Sequence, residues 1–330
     1  MRVLFNHWSL GDVMNVRFAF VVVLVLATHV LGLSADGVGQ ERAVAKPTGK
    51  VRPDMTEGVI SEGSIIFTYV DEKHRRRLTL DLYRPEVASE PSPAIVMYFG
   101  GGWQNGRPGL FAPLAQALAQ RGYVCVVPEY RLSGEVPFPA AVHDAKSAVR
   151  WTRKFAKRFN IDPQRIACLG GSAGGHLSGF VAATNGSQDY EGDGDHREVS
   201  SEVQASVVMC GPMNLLDSDT VDRVEKAAKE PSGHAIIDFL QGETPSSNKS
   251  LYRQASPVTH AGPHVPPMLF IDGELDNPRT RYIEFWKILD RHDIPHEFVM
   301  MPDAPHPFWG NHRWFMSTVD AIDNFLKKHL

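Results

Sequence analysis

Leu169-Gly170-Gly171-Ser172-Ala173-Gly174-Gly175-His176 is the stretch on which the reading of this chain turns. It contains Gly-x-Ser-x-Gly. Residues 165–169 before it form a short apolar run of strand type, and 177–183 after it read as a buried helix. Strand, tight turn and helix are the context in which the motif makes a nucleophile elbow. Glycines are needed because a Cβ on either side would clash where the backbone reverses. The turn holds the serine hydroxyl out at the carboxyl end of its strand, within reach of a base. The competing readings are an ordinary glycine-rich turn and a phosphate-binding loop. A Walker loop requires Gly-Lys-Ser/Thr, which this stretch does not contain.

The surroundings alternate. Residues 64–70 and 78–83 look like two strands of an antiparallel hairpin, joined by the charged stretch 71–77. From Ala94 onward, apolar strand-like runs at 94–99, 123–128, 203–210, 267–272 and 296–301 alternate with helical patterns at 110–120, 140–159, 279–291 and 316–330. This order predicts an α/β fold with a mostly parallel central sheet and helices on both faces. Sites in such sheets lie at the carboxyl ends of the strands. Residues 185–264 break the alternation and are rich in Gly, Ser and Asp, which predicts a small lid or rim insertion. Within it, Asp189-Tyr190-Glu191-Gly192-Asp193-Gly194 has the look of a calcium loop. That pattern wants Asp or Asn where Glu191 stands and Glu where Ser200 stands, so a solvated loop is expected and no metal.

With 330 residues, 43% hydrophobic and 22% charged, the chain has the make-up of one large globular domain. A net charge of -4 gives no electrostatic basis for a nucleic acid or an anionic membrane as partner. Cys125, Cys168 and Cys210 each sit in apolar runs, as buried free thiols do, and their spacing fits neither a disulfide framework nor a zinc site. At the N-terminus Arg17 precedes an apolar run at 18–28, and Gly32, Ser34 and Ala35 offer a cleavage site. Residues 1–35 therefore read as a signal peptide, with Met14 as an alternative start. The apolar run is short against the about 20 residues that span a bilayer. The expectation is export, periplasmic or secreted, with no stable membrane insertion after cleavage. Residues 36–63 read as a polar linker and 64–330 as the folded domain.

A serine nucleophile needs a base, the base needs an orienting acid, and the oxyanion needs donors. In hydrolases with this elbow the chain order is Ser, then Asp or Glu, then His. The acid should follow the strand ending at Asp272, where Glu274 and Asp276 are available. Asp276 is the better placed, deeper in the loop; its competing use is a helix N-cap. The base should follow the last strand, where His306 lies in the loop 302–309 and His312 is the runner-up at a helix start. His292 and His296 precede that strand and fall at the wrong end of the sheet. His176 reads as a packing or rim residue, and His329 as part of the tail. The donors should come from Phe99-Gly100-Gly101-Gly102-Trp103, whose bare N–H groups, with that of Ala173, can face one point.

With these residues in place, residues 65–330 resemble the α/β-hydrolase esterases of the hormone-sensitive-lipase-like group. Within it they look closest to secreted feruloyl- and acetyl-xylan-type carbohydrate esterases. The resemblance is carried by Gly100–Trp103, Tyr130-Arg131-Leu132, Pro137–Ala141 with Asp144, Asp162-Pro163 with Arg165-Ile166, the elbow Gly170–Leu177, and Gly211-Pro212. It implies a Ser172, Asp276, His306 triad with Gly101, Gly102 and Ala173 as oxyanion donors, no cofactor, and Asp144 as a structural residue tying the glycine loop in place. The implied activity is a secreted carboxylic-ester hydrolase working through an acyl-enzyme on small esters or plant-type polysaccharides. A serine peptidase on the same fold is the alternative, although such enzymes usually carry a large N-terminal propeller. A binding protein that kept the fold would have no need of the complete set. Two departures stand out. Phe99 replaces the histidine usual before the glycines, and Arg279-Thr280 replaces the usual Val-Pro after the acid.

Overall fold

The computed structural model describes residues 56–71, 76–276 and 280–330. The expected signal peptide, most of the expected linker, the middle of the 71–77 hairpin loop and Arg279 lie outside the described residues. Eight strands form one sheet: β1 (Val59–Val70), β2 (Arg76–Pro85), β3 (Ser92–Tyr98), β4 (Val124–Pro128), β5 (Ile161–Gly171), β6 (Ala205–Met209), β7 (Met268–Gly273) and β8 (His296–Met301). The order across the sheet is β1-β2-β4-β3-β5-β6-β7-β8. The pairs β1/β2 and β2/β4 are antiparallel, and the other five are parallel. β1 begins at Val59, five residues ahead of the strand read from sequence, because its extra residues pair with the far end of β2 (Val59 opposite Pro85).

The helices are α1 (Ala112–Ala119), α2 (Ala140–Lys154), α3 (Ala173–Ala183), α4 (Ser218–Ala227), α5 (Ala235–Phe239), α6 (Lys249–Gln254), α7 (Pro257–His260), α8 (Ile283–Arg291) and α9 (His312–His329). α1 packs with α9, and α2 with α3, so that two helical layers cover the sheet. Hence β4, β6 and β7 are buried along their whole length, and β3 and β5 over most of theirs. Continuous apolar runs are the signature of strands buried on both faces, and they are why these strands were legible. The four short helices α4–α7 all fall within the expected insertion or at its end. The sheet thus delivers the carboxyl ends of β3, β5, β6, β7 and β8 to one edge, and every candidate residue follows one of those ends.

Candidate active site

Ser172 sits between β5 and α3 with φ +56° and ψ -119°. A non-glycine residue in that left-handed conformation is strained, and the surroundings must hold it there. They do so by close packing. The Ser172 N–H donates to the Met209 carbonyl at the end of β6, at 2.8 Å. A side chain on Gly174 would strike the backbone carbonyls of Tyr98 and Phe99, so α3 starts directly against the end of β3. The hydroxyl is thereby presented at the sheet edge.

Two loops close on it. His306 Nε2 lies 3.0 Å from Ser172 Oγ, and His306 Nδ1 lies 3.0 Å from Asp276 Oδ2. The loops carrying acid and imidazole are tied to one another: the Leu275 N–H donates to the Ala304 carbonyl at 3.0 Å, and the Asp303 N–H to the Glu274 carboxylate at 3.0 Å. Trp309 packs its indole against Gly171 and stands edge-on to the His306 ring, centroids 5.7 Å apart. Burial pushes the Asp276 carboxyl up, but the bonds from His306 and Arg281 outweigh it and hold the group well below the usual carboxylate range. It is therefore an acceptor at neutral pH, able to take the imidazole N–H and fix the tautomer.

The glycine loop lies alongside. A Cβ on Gly100 would come within 3.2 Å of the Ser172 Cβ. Gly101 (φ +132°), Gly102 (φ +62°) and Trp103 (φ +57°) take the chain through left-handed backbone. The N–H groups of Gly101, Gly102 and Ala173 donate to no protein acceptor among the described residues. Bare amides beside a serine hydroxyl are what a developing oxyanion requires. The loop is pinned from behind: Tyr130 stacks on Phe99 at 4.4 Å and donates its hydroxyl proton to the Phe99 carbonyl at 2.9 Å. Phe99, standing where the resembled group has histidine, thus serves the loop by stacking.

Residues 80–279, more than half of the chain, match the BD-FAE family. The chain belongs to that family. Its fold is that of the α/β-hydrolase esterases. It is 28% identical over 255 residues to esterase LipC of Mycobacterium tuberculosis, a match covering 71% of this chain and 60% of LipC. The match to the probable carboxylic ester hydrolase LipM of the same organism covers 45% of LipM, so the chain spans about half the length of these curated relatives. Among solved structures it is similar to the Planctomycetes esterase Est2 of Thermogutta terrifontis with propionate bound (27% identity, TM-score 0.64, covering 84% of this chain and 96% of that one). It is also similar to the acetyl ester-xyloside bifunctional hydrolase of Caldicellulosiruptor lactoaceticus (25% identity, TM-score 0.64, 78% and 90%).

Other residues read from the sequence fall into place around this family fold. Glu274, the second acid considered, is spent on Asp303; His312 is exposed at the start of α9. His176 is fully buried among Trp103, Phe180 and Phe239 and bonds the Ala255 carbonyl at 2.8 Å; burial pulls it down to about 4, so it is neutral at pH 7. Asp144 does not touch the glycine loop. It grips the Arg131 side chain at 2.7–3.1 Å and accepts from the Arg131 N–H, fixing the neighbour of Tyr130 that does the pinning. The Asp189–Gly194 stretch departs from the expected solvated loop. Glu191 is buried against Lys146 (3.0 Å), Arg150 and Ser201 (2.6 Å), because α2 supplies the cations that a calcium loop would take from solution.

Two contacts at the site carry no signal in the sequence. Arg281 donates to both Asp276 (2.8 Å) and Asp272 (2.9 Å); a lone arginine in a charged loop carries no periodic or motif signal. Cys210, with φ +52°, puts its thiol within 4.8 Å of ligand atoms on Asp276 and His306. This is the one group of metal-ligand type among the described residues. Its donor atoms are already engaged, since both His306 nitrogens and the Asp276 Oδ2 bond within the protein. The Cys125, Cys168 and Cys210 thiols are buried and free, and burial raises each of them.

Proposed function

We propose that this chain is a serine carboxylic-ester hydrolase. Ser172 Oγ attacks the ester carbonyl while His306 Nε2 takes its proton, and Asp276 carries the partner bond of the imidazolium. The carbonyl oxygen becomes an oxyanion held by the N–H groups of Gly101, Gly102 and Ala173. Collapse of the tetrahedral species breaks the C–O bond; His306 returns the proton to the departing alcohol. Water then repeats the sequence on the acyl-enzyme and frees the acid. The observation that carries this reading is the unbroken series Ser172–His306–Asp276 at 3.0 Å per step. Reaction with a fluorophosphonate tests it: a folded protein whose Ser172 stays unlabelled defeats the proposal. Support for the chemistry also comes from Est2, which has been captured phosphonylated by sarin.

The substrates we propose are short acyl esters, on small alcohols or on plant-type polysaccharide, met outside the cytoplasm. Propionate in Est2 and the acetyl ester-xyloside activity of the Caldicellulosiruptor hydrolase support the short acyl group. A p-nitrophenyl ester series with acetylated xylan alongside separates the options. Turnover that rises with chain length beyond butyrate and spares acetylated xylan contradicts this substrate class. Among the described residues no helix is long and apolar enough to cross a membrane. Export is tested by the N-terminus of the mature protein, which should begin after the small residues at 32–35.

A further inference from the structure

We propose that Arg281 is a positioning residue for the acid of the triad, holding Asp276 against His306 by bridging it to Asp272 at the end of β7. This inference rests on the triad reading above. Asp276 lies in a single 3-10 turn, and its neighbour Leu275 is 67% exposed, so little packing restrains it. The turn is tied to the 303–304 loop through its backbone and Glu274, and Arg281 adds the hold on the carboxylate itself. Its Nη1 donates to Asp276 Oδ2 at 2.8 Å and to Asp272 Oδ1 at 2.9 Å, and its Nη2 donates to the Asp276 carbonyl at 3.3 Å. The oxygen gripped by Arg281 is the same Oδ2 that faces His306. Asp272 is fully buried near the end of β7 and is a fixed anchor. Its carboxylate also meets the Cys210 thiol and the Tyr282 hydroxyl, which help to hold it in place for Arg281.

Charge gives the bridge a second task. Around Asp276 stand Asp272 from β7, Cys210 after β6, Arg281 and Tyr282 before α8, and His306 after β8. Burial raises the Cys210 thiol and the Tyr282 hydroxyl, so both are neutral at pH 7. Burial raises the Asp272 carboxyl and Arg281 opposes that rise, so Arg281 is the permanent cation between two neighbouring acids. Without it, mutual repulsion favours a shared proton, and a protonated Asp276 no longer accepts from His306. A lysine would supply the charge but not the fork that reaches two carboxylates and a carbonyl together.

The test compares wild type, Arg281→Met, Arg281→Lys and Asp272→Asn on p-nitrophenyl acetate, with kcat and KM resolved across pH and melting curves as the folding control. Arg281→Met should lower kcat by about 10- to 100-fold, the scale of a lost charged hydrogen bond. KM should stay within about two-fold, since the guanidinium meets the acid and not the substrate. The acid limb of its kcat/KM profile should move to higher pH. Asp272→Asn, which removes the facing charge, should move that limb the opposite way. Arg281→Lys should keep the limb near wild type and recover part of kcat. A wild-type profile in Arg281→Met, or limbs moving the same way in Arg281→Met and Asp272→Asn, overturns the inference. If Arg281→Met does not fold, the lysine and asparagine variants decide by the same signs. Fluorophosphonate labelling of wild-type Ser172 separates the two levels. No labelling defeats the triad reading itself, whereas labelling with unmoved variant profiles defeats the role of Arg281 alone.

Discussion

Replacing Glu191 by Gln should unfasten the start of the 185–264 insertion from the domain. Lys146 and Arg150 are fully buried on α2, and Glu191 is the carboxylate that both of them meet. Glutamine keeps the shape and can still accept from Ser201, but two interior cations lose their counter-charge. Removing one member of a buried ion pair costs about 3–5 kcal/mol. Here the lower end applies. Lys146 keeps the Thr184 carbonyl at 3.0 Å, Arg150 keeps the carbonyls of Glu191 (3.0 Å) and Asp195 (3.2 Å), and burial already lowers Lys146 toward its neutral form. At about 2–4 °C per kcal/mol for a domain of this size, a loss of about 3 kcal/mol lowers the melting temperature by roughly 6–12 °C. Differential scanning calorimetry at pH 7 measures this, with Glu198→Gln as control: its pair with Lys154 is exposed, and no change is expected. The effect also has a pH signature. Burial pushes Glu191 up, but the Ser201 bond and the two cations outweigh it, so its native value lies below the usual 4.5. A lowered carboxylate contributes stability that is present above 4.5 and fades as pH falls through the native value. The wild-type advantage over Glu191→Gln should therefore shrink in acid. A variant that melts within about 2 °C of wild type at pH 7, or a gap that widens below pH 4, refutes the reasoning.

Further outcomes follow from the site. His306→Ala should lower kcat by about 10⁴- to 10⁶-fold while His312→Ala stays near wild type, measured on p-nitrophenyl acetate; equal losses would mean that proximity to Ser172 had been misread. Asp276→Asn should lose about 10⁴-fold in kcat by favouring the wrong tautomer, whereas Glu274→Gln, whose carboxylate accepts from the Asp303 N–H, should stay within about ten-fold. Gly101→Ala places a Cβ on the Asn105 carbonyl at φ +132°, and the distorted loop should cost about 10²- to 10³-fold in kcat with Ser172 still labelled by a fluorophosphonate.

What was legible in the sequence was whatever local physics writes locally. The parallel strands showed as uninterrupted apolar runs because both faces are covered. The elbow showed because α3 starts so close to β3 that Gly174 tolerates no side chain. Ser172, Asp276 and His306 were readable because each follows a strand end, and the sheet brings those ends together. Long-range charge pairing was not readable. Nothing near Asp189–Gly194 announces that Lys146 and Arg150, some forty residues earlier, will bury Glu191 between them, so the stretch passed for a solvated loop. The resemblance implies a structural Asp144, but the hydrogen bonds it accepts come from Arg131 and not from the glycine loop, a distinction that takes three dimensions.

These pairings bear on how the insertion acts. A free lid would leave the glycine loop proposed to hold the oxyanion open to solvent and able to relax. Here the insertion is fastened at two points: Glu191 binds it to α2 near its start, and α5, further along it, lies on the glycine loop, with Phe239 stacked on Trp103 at 4.4 Å. An alanine methyl, that of Ala235, stands where a Cβ on Gly102 would meet it at 3.0 Å. The left-handed run Gly101–Trp103 is held by the N–H groups of Gln104, Asn105 and Ser133 on its carbonyls, and it is clamped between Tyr130, which grips Phe99, and α5. Bare amides are useful to an oxyanion only when they are held still, because preorganisation is the source of their strength. The insertion on this reading is a roof that keeps the donors rigid. Loosening it at Glu191 should then reduce kcat more than it raises KM, and a variant that binds esters poorly but turns them over normally would argue for a gate instead.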